Sequence, residues 1–285
     1  MLARARSRGI SAVALSCALL CSVALAACKR KHVPVESSPE LGYPSCGDAG
    51  GDEHGSPVAA GHLRSGPLSP EKNVVERFEL RRTSCGYTLV SRQEWPLAIS
   101  DVEVRYDASL APIWAWKRTT LAASTRPDGN ADIRRYEMRT GDVFIKRRDP
   151  SGETTLQKLL PGGRMKAPEG ARVGAVITPG RGGITAWLKR AHLPPGGKTQ
   201  DLVLDFRDVV ESLEVATLER GPDLQQPGYP APVRVYTFFG RETVFADAQD
   251  VVAGDLAGMR PASSLTTPEP DPLPTFGGPD PVHTP

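Results

Sequence analysis

The sequence predicts a mainly β domain: a curved antiparallel sheet with one short covering helix. Three observations point there. Apolar and polar residues alternate through most of the span 73–258. In Val102-Glu103-Val104-Arg105-Tyr106 this puts apolar side chains on one face and charges on the other. Compact turn sequences separate the alternating runs, among them Pro127-Asp128-Gly129-Asn130, Thr140-Gly141-Asp142 and Asp149-Pro150-Ser151-Gly152. Strands joined by such short turns pair antiparallel. One stretch, Ile184 to His192, carries the period of a helix instead.

The chain opens on an export signal over residues 1–27. Arg4, Arg6 and Arg8 form a basic start, and Ile10 to Ala27 is apolar apart from three serines. The run closes on Leu25-Ala26-Ala27-Cys28, which resembles the bacterial lipobox. That resemblance implies cleavage before Cys28 and lipidation of Cys28, so the mature protein is expected to hold the membrane through acyl chains. The other reading is an uncleaved membrane anchor, since about 18 apolar residues is near the lower limit for a span. Lys29, Arg30 and Lys31 would sit against anionic headgroups. A residue other than Asp after the cysteine goes with outer-membrane sorting in enterobacteria. The expected location is therefore the bacterial envelope, on the periplasmic face of the outer membrane.

Residues 28–72 read as a flexible tether, rich in Pro, Gly and Ser and poor in large apolar side chains. Strands are then predicted over 75–82, 87–92, 102–106, 113–119, 133–139, 143–148, 154–159, 202–206, 213–218, 233–239 and 243–246. Gly182-Gly183 precedes the helix and Pro194-Pro195 ends it. Ile184, Trp187, Leu188 and Ala191 make one apolar stripe along it. Residues 259–285 read as a Pro-rich disordered tail.

The order of elements resembles bacterial envelope families, lipoprotein-carrier-like, in which an antiparallel sheet curls into a half-barrel or clam around an apolar groove. The resemblance rests on Tyr106-Asp107-Ala108-Ser109-Leu110-Ala111-Pro112-Ile113 followed by Asp142-Val143-Phe144-Ile145. It implies binding of a lipid or a lipidated partner, and it carries over no catalytic residue.

Charge narrows the partners. The 285-residue chain has a formal charge of +2, which falls to −1 when the three signal arginines leave. A near-neutral protein lacks the electrostatic footprint for nucleic acid. After Cys28, two cysteines remain, Cys46 and Cys85. Export to an oxidising compartment makes them a disulfide candidate, with two separate thiols as the alternative.

Catalytic and metal signatures are missing from the sequence, and neither a cofactor nor a metal is expected. His32, His54, His62 and His283 fall in the tether and tail, and His192 caps the helix. His54 and His62, near Asp48, Asp52 and Glu53, read as a solvated stretch before a chelating one. Gly196-Gly197-Lys198-Thr199 ends like a phosphate loop, but His192 stands where that motif needs Gly, and a strand follows. Gly180-Arg181-Gly182-Gly183 reads as a helix-start turn, with anion binding on its N–H groups as the alternative. The carboxylates are scattered, including Asp205, Asp208, Asp247 and Asp250.

The aromatic side chains remain. Trp114 and Trp116 share one face of a strand, and Trp187, Phe206 and Phe238 add bulk elsewhere. These five are the candidates for lining an apolar ligand groove, which binds by area buried. The alternative is that they fill the core. The expectation is a non-enzymatic envelope lipoprotein that binds a hydrophobic ligand or an envelope protein. A structural or interaction module with a filled core, and an envelope-polymer hydrolase with an unrecognised carboxylate site, are the alternatives.

Overall fold

The computed structural model describes residues 55–66, 73–121 and 131–262, and the backbone of 32–34. The chain divides into two compact units, Met1–Lys31 and His32–Pro285, and all described residues lie in the second. The signal segment, Cys28 and Cys46 lie outside the described residues.

The larger sheet has ten strands. In chain order they are β1 (His32–Pro34), β2 (Ser56–Ser65), β3 (Val75–Thr83), β4 (Gly86–Trp95), β5 (Ala98–Tyr106), β6 (Pro112–Leu121), β7 (Ala131–Arg139), β8 (Asp142–Arg148) and β9 (Thr154–Leu159), with β16 (Met259–Pro261) added at the end of the chain. Their spatial order is β1-β9-β8-β7-β6-β5-β4-β3-β2-β16, antiparallel at every pairing. Strands β3 to β9 form the expected meander, with the alternation turning one largely apolar face inward and the pairing keeping that face in register.

The smaller sheet runs β10 (Val173–Ile177), β11 (Lys198–Asp205), β12 (Ser212–Arg220), β13 (Arg234–Phe238), β14 (Glu242–Ala246) and β15 (Val252–Asp255). Its first pair, β10 and β11, is parallel, and α1 (Gly182–Ala191) is the crossover between them. A parallel pair needs such a crossover and cover on both faces. All five residues of β10 are buried. Val176 packs into the core shared with the large sheet, and Ile177 into the core under α1. The mainly β class, the large antiparallel sheet, the curled half-barrel and the helix follow the sequence expectation. The parallel pair does not.

Strands β10 and β15 were not among the predicted ones, and three segments of the expected tether and tail are strands as well, the first being His32–Pro34, which pairs with β9. Ser56–Ser65, inside the expected tether, is a ten-residue strand paired with β3. Its Gly61 is required, since a Cβ there would lie 2.2 Å from the Phe78 ring. Met259–Pro261, at the start of the expected tail, pairs with β2 and covers its edge.

The register orders the inward face of the large sheet into rows of graded polarity. Leu80, Leu89, Val104, Ala115, Tyr136 and Ile145 lie side by side in one row. The next holds Phe78, Ser91, Val102, Lys117 and Arg134, and the third holds Glu76, Gln93, Ser100, Thr119 and Asp132. The polar rows are bound by the turn between β11 and β12. Lys117 Nζ donates to the carbonyls of Phe206 at 2.8 Å and Asp208 at 3.1 Å. Arg134 donates to the Val209 carbonyl at 2.6 Å and to Glu211. The Tyr136 hydroxyl reaches Glu211 Oε1 at 3.2 Å.

Candidate functional site: a cleft at the start of the helix

A cleft of about 510 Å³ opens at this polar end. It lies at the carboxyl ends of β10 and β11 and the amino end of α1, where α/β crossovers commonly place ligands. Gln93 and Trp95 of β4 form one wall and the loop Thr178–Arg181 the floor. Arg207 and Asp208 follow β11. Phe238, Arg241 and Glu242 come from the β13–β14 hairpin, Asp255 from the end of β15 and Leu256 from the turn after it.

The floor is built by close packing. A Cβ on Gly182 would lie 2.7 Å from Leu89 Cδ1, and one on Gly183 2.6 Å from the Val176 carbonyl. Side chains there would push the helix off both sheets. Thr178 Oγ1 donates to the Gly180 carbonyl at 2.6 Å and accepts from the Gly183 N–H at 3.3 Å. Arg181 is the N-cap residue, with no side-chain cap. Its N–H donates to Glu76 Oε1, and its Nη1 to Glu76 Oε2 at 3.3 Å. The anion at this helix start is therefore the protein's own Glu76, fully buried on β3. Burial pushes the Glu76 carboxyl up from its ordinary value, against the pull of Arg181.

Most charges around the cleft are tied to one another. Arg181 also donates to Asp255 Oδ2, at 2.6 Å through Nη2 and 3.0 Å through Nε. Arg207 bridges Asp205 at 2.7 Å and Glu242 at 2.9 Å. Burial alone would lower the Arg207 pKa, but its bonds to Glu242 and Asp205 raise it above the ordinary guanidinium value. Among the described residues lining the cleft, three side chains lack a hydrogen bond, although the Asp208 carboxylate lies in the field of Lys117. The Arg241 guanidinium and the Asp208 carboxylate form no side-chain hydrogen bond or ion pair, and both residues are exposed. Gln93 Oε1 is buried with no hydrogen-bond partner, on a residue only 1% exposed. An orphan of that kind costs about 1–3 kcal/mol.

The aromatic candidates are placed otherwise. Trp187 is buried under the small sheet, donates Nε1 to Asp201 Oδ2 at 2.7 Å and meets Phe238 edge-on. Phe206 is buried and stacks on Tyr136 at 4.6 Å. Phe238 is buried at the back wall of the cleft. Trp114 and Trp116 do share one face of β6, away from Ala115 and Lys117, which occupy the inward face. Trp114 is buried and Trp116 half-buried, and neither lines the cleft.

Cys85 is disulfide-bonded, and its expected partner Cys46 lies outside the described residues. His192 ends α1 in the left-handed region, its N–H on the Leu188 carbonyl, with Nδ1 3.3 Å from Asp250. His62 sits on β2. Among the described residues no cluster of three metal-ligating side chains occurs, and no helix is long and apolar enough to cross a membrane. Sequence reading reached Arg181 and Phe238 of this site, named Asp208 only as one of the scattered carboxylates, and missed Gln93 and Arg241. The available signal was the apolar run Val173–Ile177, then a Gly-rich loop, then a helix.

No protein-family model matches the chain, and no curated protein matches it. Two solved structures are similar. A DUF1089 family protein from Pseudomonas aeruginosa shares 13% identity, covering 65% of this chain and 91% of its own, at a TM-score of 0.40. A β-barrel-like protein of the domain of unknown function DUF1849 from Brucella abortus shares 12% identity, covering 68% of this chain and 81% of its own, at a TM-score of 0.33.

Proposed function

We propose that the protein is a non-enzymatic, lipid-anchored envelope protein that binds an amphipathic molecule in this cleft. The carrying observation is a cleft lined both by apolar side chains, Trp95, Ile184 and Phe238, and by polar ones, among them Gln93, whose side-chain oxygen is buried without a hydrogen-bond partner, and Arg241. The apolar walls suit an acyl or aryl body. Arg241 suits an anionic head, and Gln93 with Asp208 suits a donor on that head. The volume falls within the roughly 300–1,000 Å³ of small-molecule sites. The neighbouring acids Glu242 and Asp255 are held by arginines, which favours binding over acid–base chemistry.

The test is native mass spectrometry of His32–Pro285, the compact unit holding every described residue. It is run after expression in a bacterial periplasm and again with added lysophosphatidylethanolamine, whose single chain carries both an anion and an ammonium. A bound amphiphile is expected, with Arg241→Ala weakening it about tenfold, the loss of one charged hydrogen bond. A bare mass under both conditions would return the filled-core interaction module to first place. The anchor is checked separately: Cys28→Ser should abolish incorporation of labelled palmitate into the full chain, and retained label would reject lipidation there.

A further inference from the structure

We infer that the rim of the cleft is a docking surface for a lipid bilayer. Among the described residues, the large apolar side chains more than half exposed are Leu97, Leu121, Val209, Val210 and Leu256, from 51% at Val210 to 74% at Leu97. All five lie at the end of the molecule where the cleft opens. Ala98 pairs with both Trp95 and Leu121, so Leu97 and Leu121 stand together at the edge beside the Trp95 wall. Val209 and Val210 follow Asp208 of the lining, and Leu256 is itself in the lining. The turn carrying Val209 is held there by Arg134 and Lys117. Apolar tips from both sheets thus surround one opening.

The occupant follows from their number and charge. A stable protein interface uses roughly 20–30 residues a side, and five tips, two of them adjacent in one turn and one at the end of β6, fall well short of a second copy or a folded partner. The formal charges lining the opening are balanced, with Arg181, Arg207 and Arg241 against Asp208, Glu242 and Asp255. That balance offers no steering toward an acidic or a basic macromolecule. A bilayer needs neither matched shape nor charge, since separate apolar side chains enter its interface one by one. The purpose of the surface, though not its existence, rests on the cleft as an amphiphile site, because a mouth pressed to a bilayer receives its ligand without passage through water.

The experiment is co-sedimentation of His32–Pro285 with vesicles of phosphatidylethanolamine and phosphatidylglycerol. The triple variant Leu97→Asp, Val209→Asp, Leu256→Asp is compared with the control Met165→Asp, Leu224→Asp. Circular dichroism verifies that both fold. Wild type should sediment with the vesicles, the triple variant should lose at least tenfold in partition, and the control should stay within twofold. Absence of wild-type sedimentation, or equal behaviour of the two variants, overturns the docking surface. Lysophosphatidylethanolamine binding measured without vesicles separates the two readings. If it persists while sedimentation is absent, only the docking surface falls. If it is absent while sedimentation follows the rim, the cleft reading falls and the surface stands.

Discussion

The two sheets bury their residues by different rules. The large sheet presents one continuous inward face, and its polarity changes row by row from Leu80 and Leu89 to Glu76 and Gln93. The small sheet is covered on both faces near β10, by the large sheet and by α1. One-sided burial leaves a strand room for polar residues on its other side. Two-sided burial does not, and it forces the polar groups of the β10–α1 crossover to the strand ends. The cleft forms where the polar end of the large sheet meets those strand ends.

The largest expected effect breaks the link between the sheets. Arg134→Ala leaves Glu211 buried without its cation and should cost about 3–5 kcal/mol, read by urea denaturation. A loss below 1 kcal/mol would mean that the β11–β12 turn is not held by this pair. Trp187→Ala probes the two-sided region at a similar size, about 3–5 kcal/mol, since it removes a buried ring and one of the two hydrogen bonds of Asp201, which keeps Arg190. The matching truncation in the one-sided sheet, Leu89→Ala, should cost about 2–5 kcal/mol. If the tryptophan change proved the cheaper, the small sheet would be the looser of the two.

A pH measurement sharpens the comparison at the junction. The Glu76 carboxyl holds its proton more tightly folded than unfolded. The stability it contributes is therefore full below the ordinary glutamate value, about 4.3, and is lost as pH rises through the raised folded value. Glu76→Gln should flatten that decline in a series of thermal melts, and an unchanged slope would show that Glu76 titrates normally. The smallest effect belongs to His192→Ala. His192 is 82% exposed at its side chain, so its contact with Asp250 should matter by less than about 0.5 kcal/mol.

Legibility followed the same division. The strands β3 to β9 alternate, and period two displays them directly. Strand β10 reads Val-Gly-Ala-Val-Ile and has no alternation to display, so its parallel pairing stayed hidden. Strand β2 was masked by Pro57 and Gly61, residues that suit a strand whose outer part is exposed and whose glycine admits the Phe78 ring. For Trp114 and Trp116 the spacing told that they share a face, and only the pairing of Ala115 with Tyr136 told which face is inward. The cleft was illegible because Gln93, Arg181, Asp208 and Arg241 come from four segments that only the topology joins. Gly182-Gly183 was legible as a helix start but not as the point where both sheets crowd the backbone.

The pairing of β16 with β2 has a consequence for how the protein is made. Met259 lies against Ser65, with nearly the whole domain between them in sequence. The first long strand to be synthesised keeps an open edge until the last one arrives. So remote a closure places folding among the slow, non-local β topologies, on the order of milliseconds to seconds. Until then the unpaired edge of β2 is a template for other chains, and a chain truncated before Met259 would keep that hazard permanently.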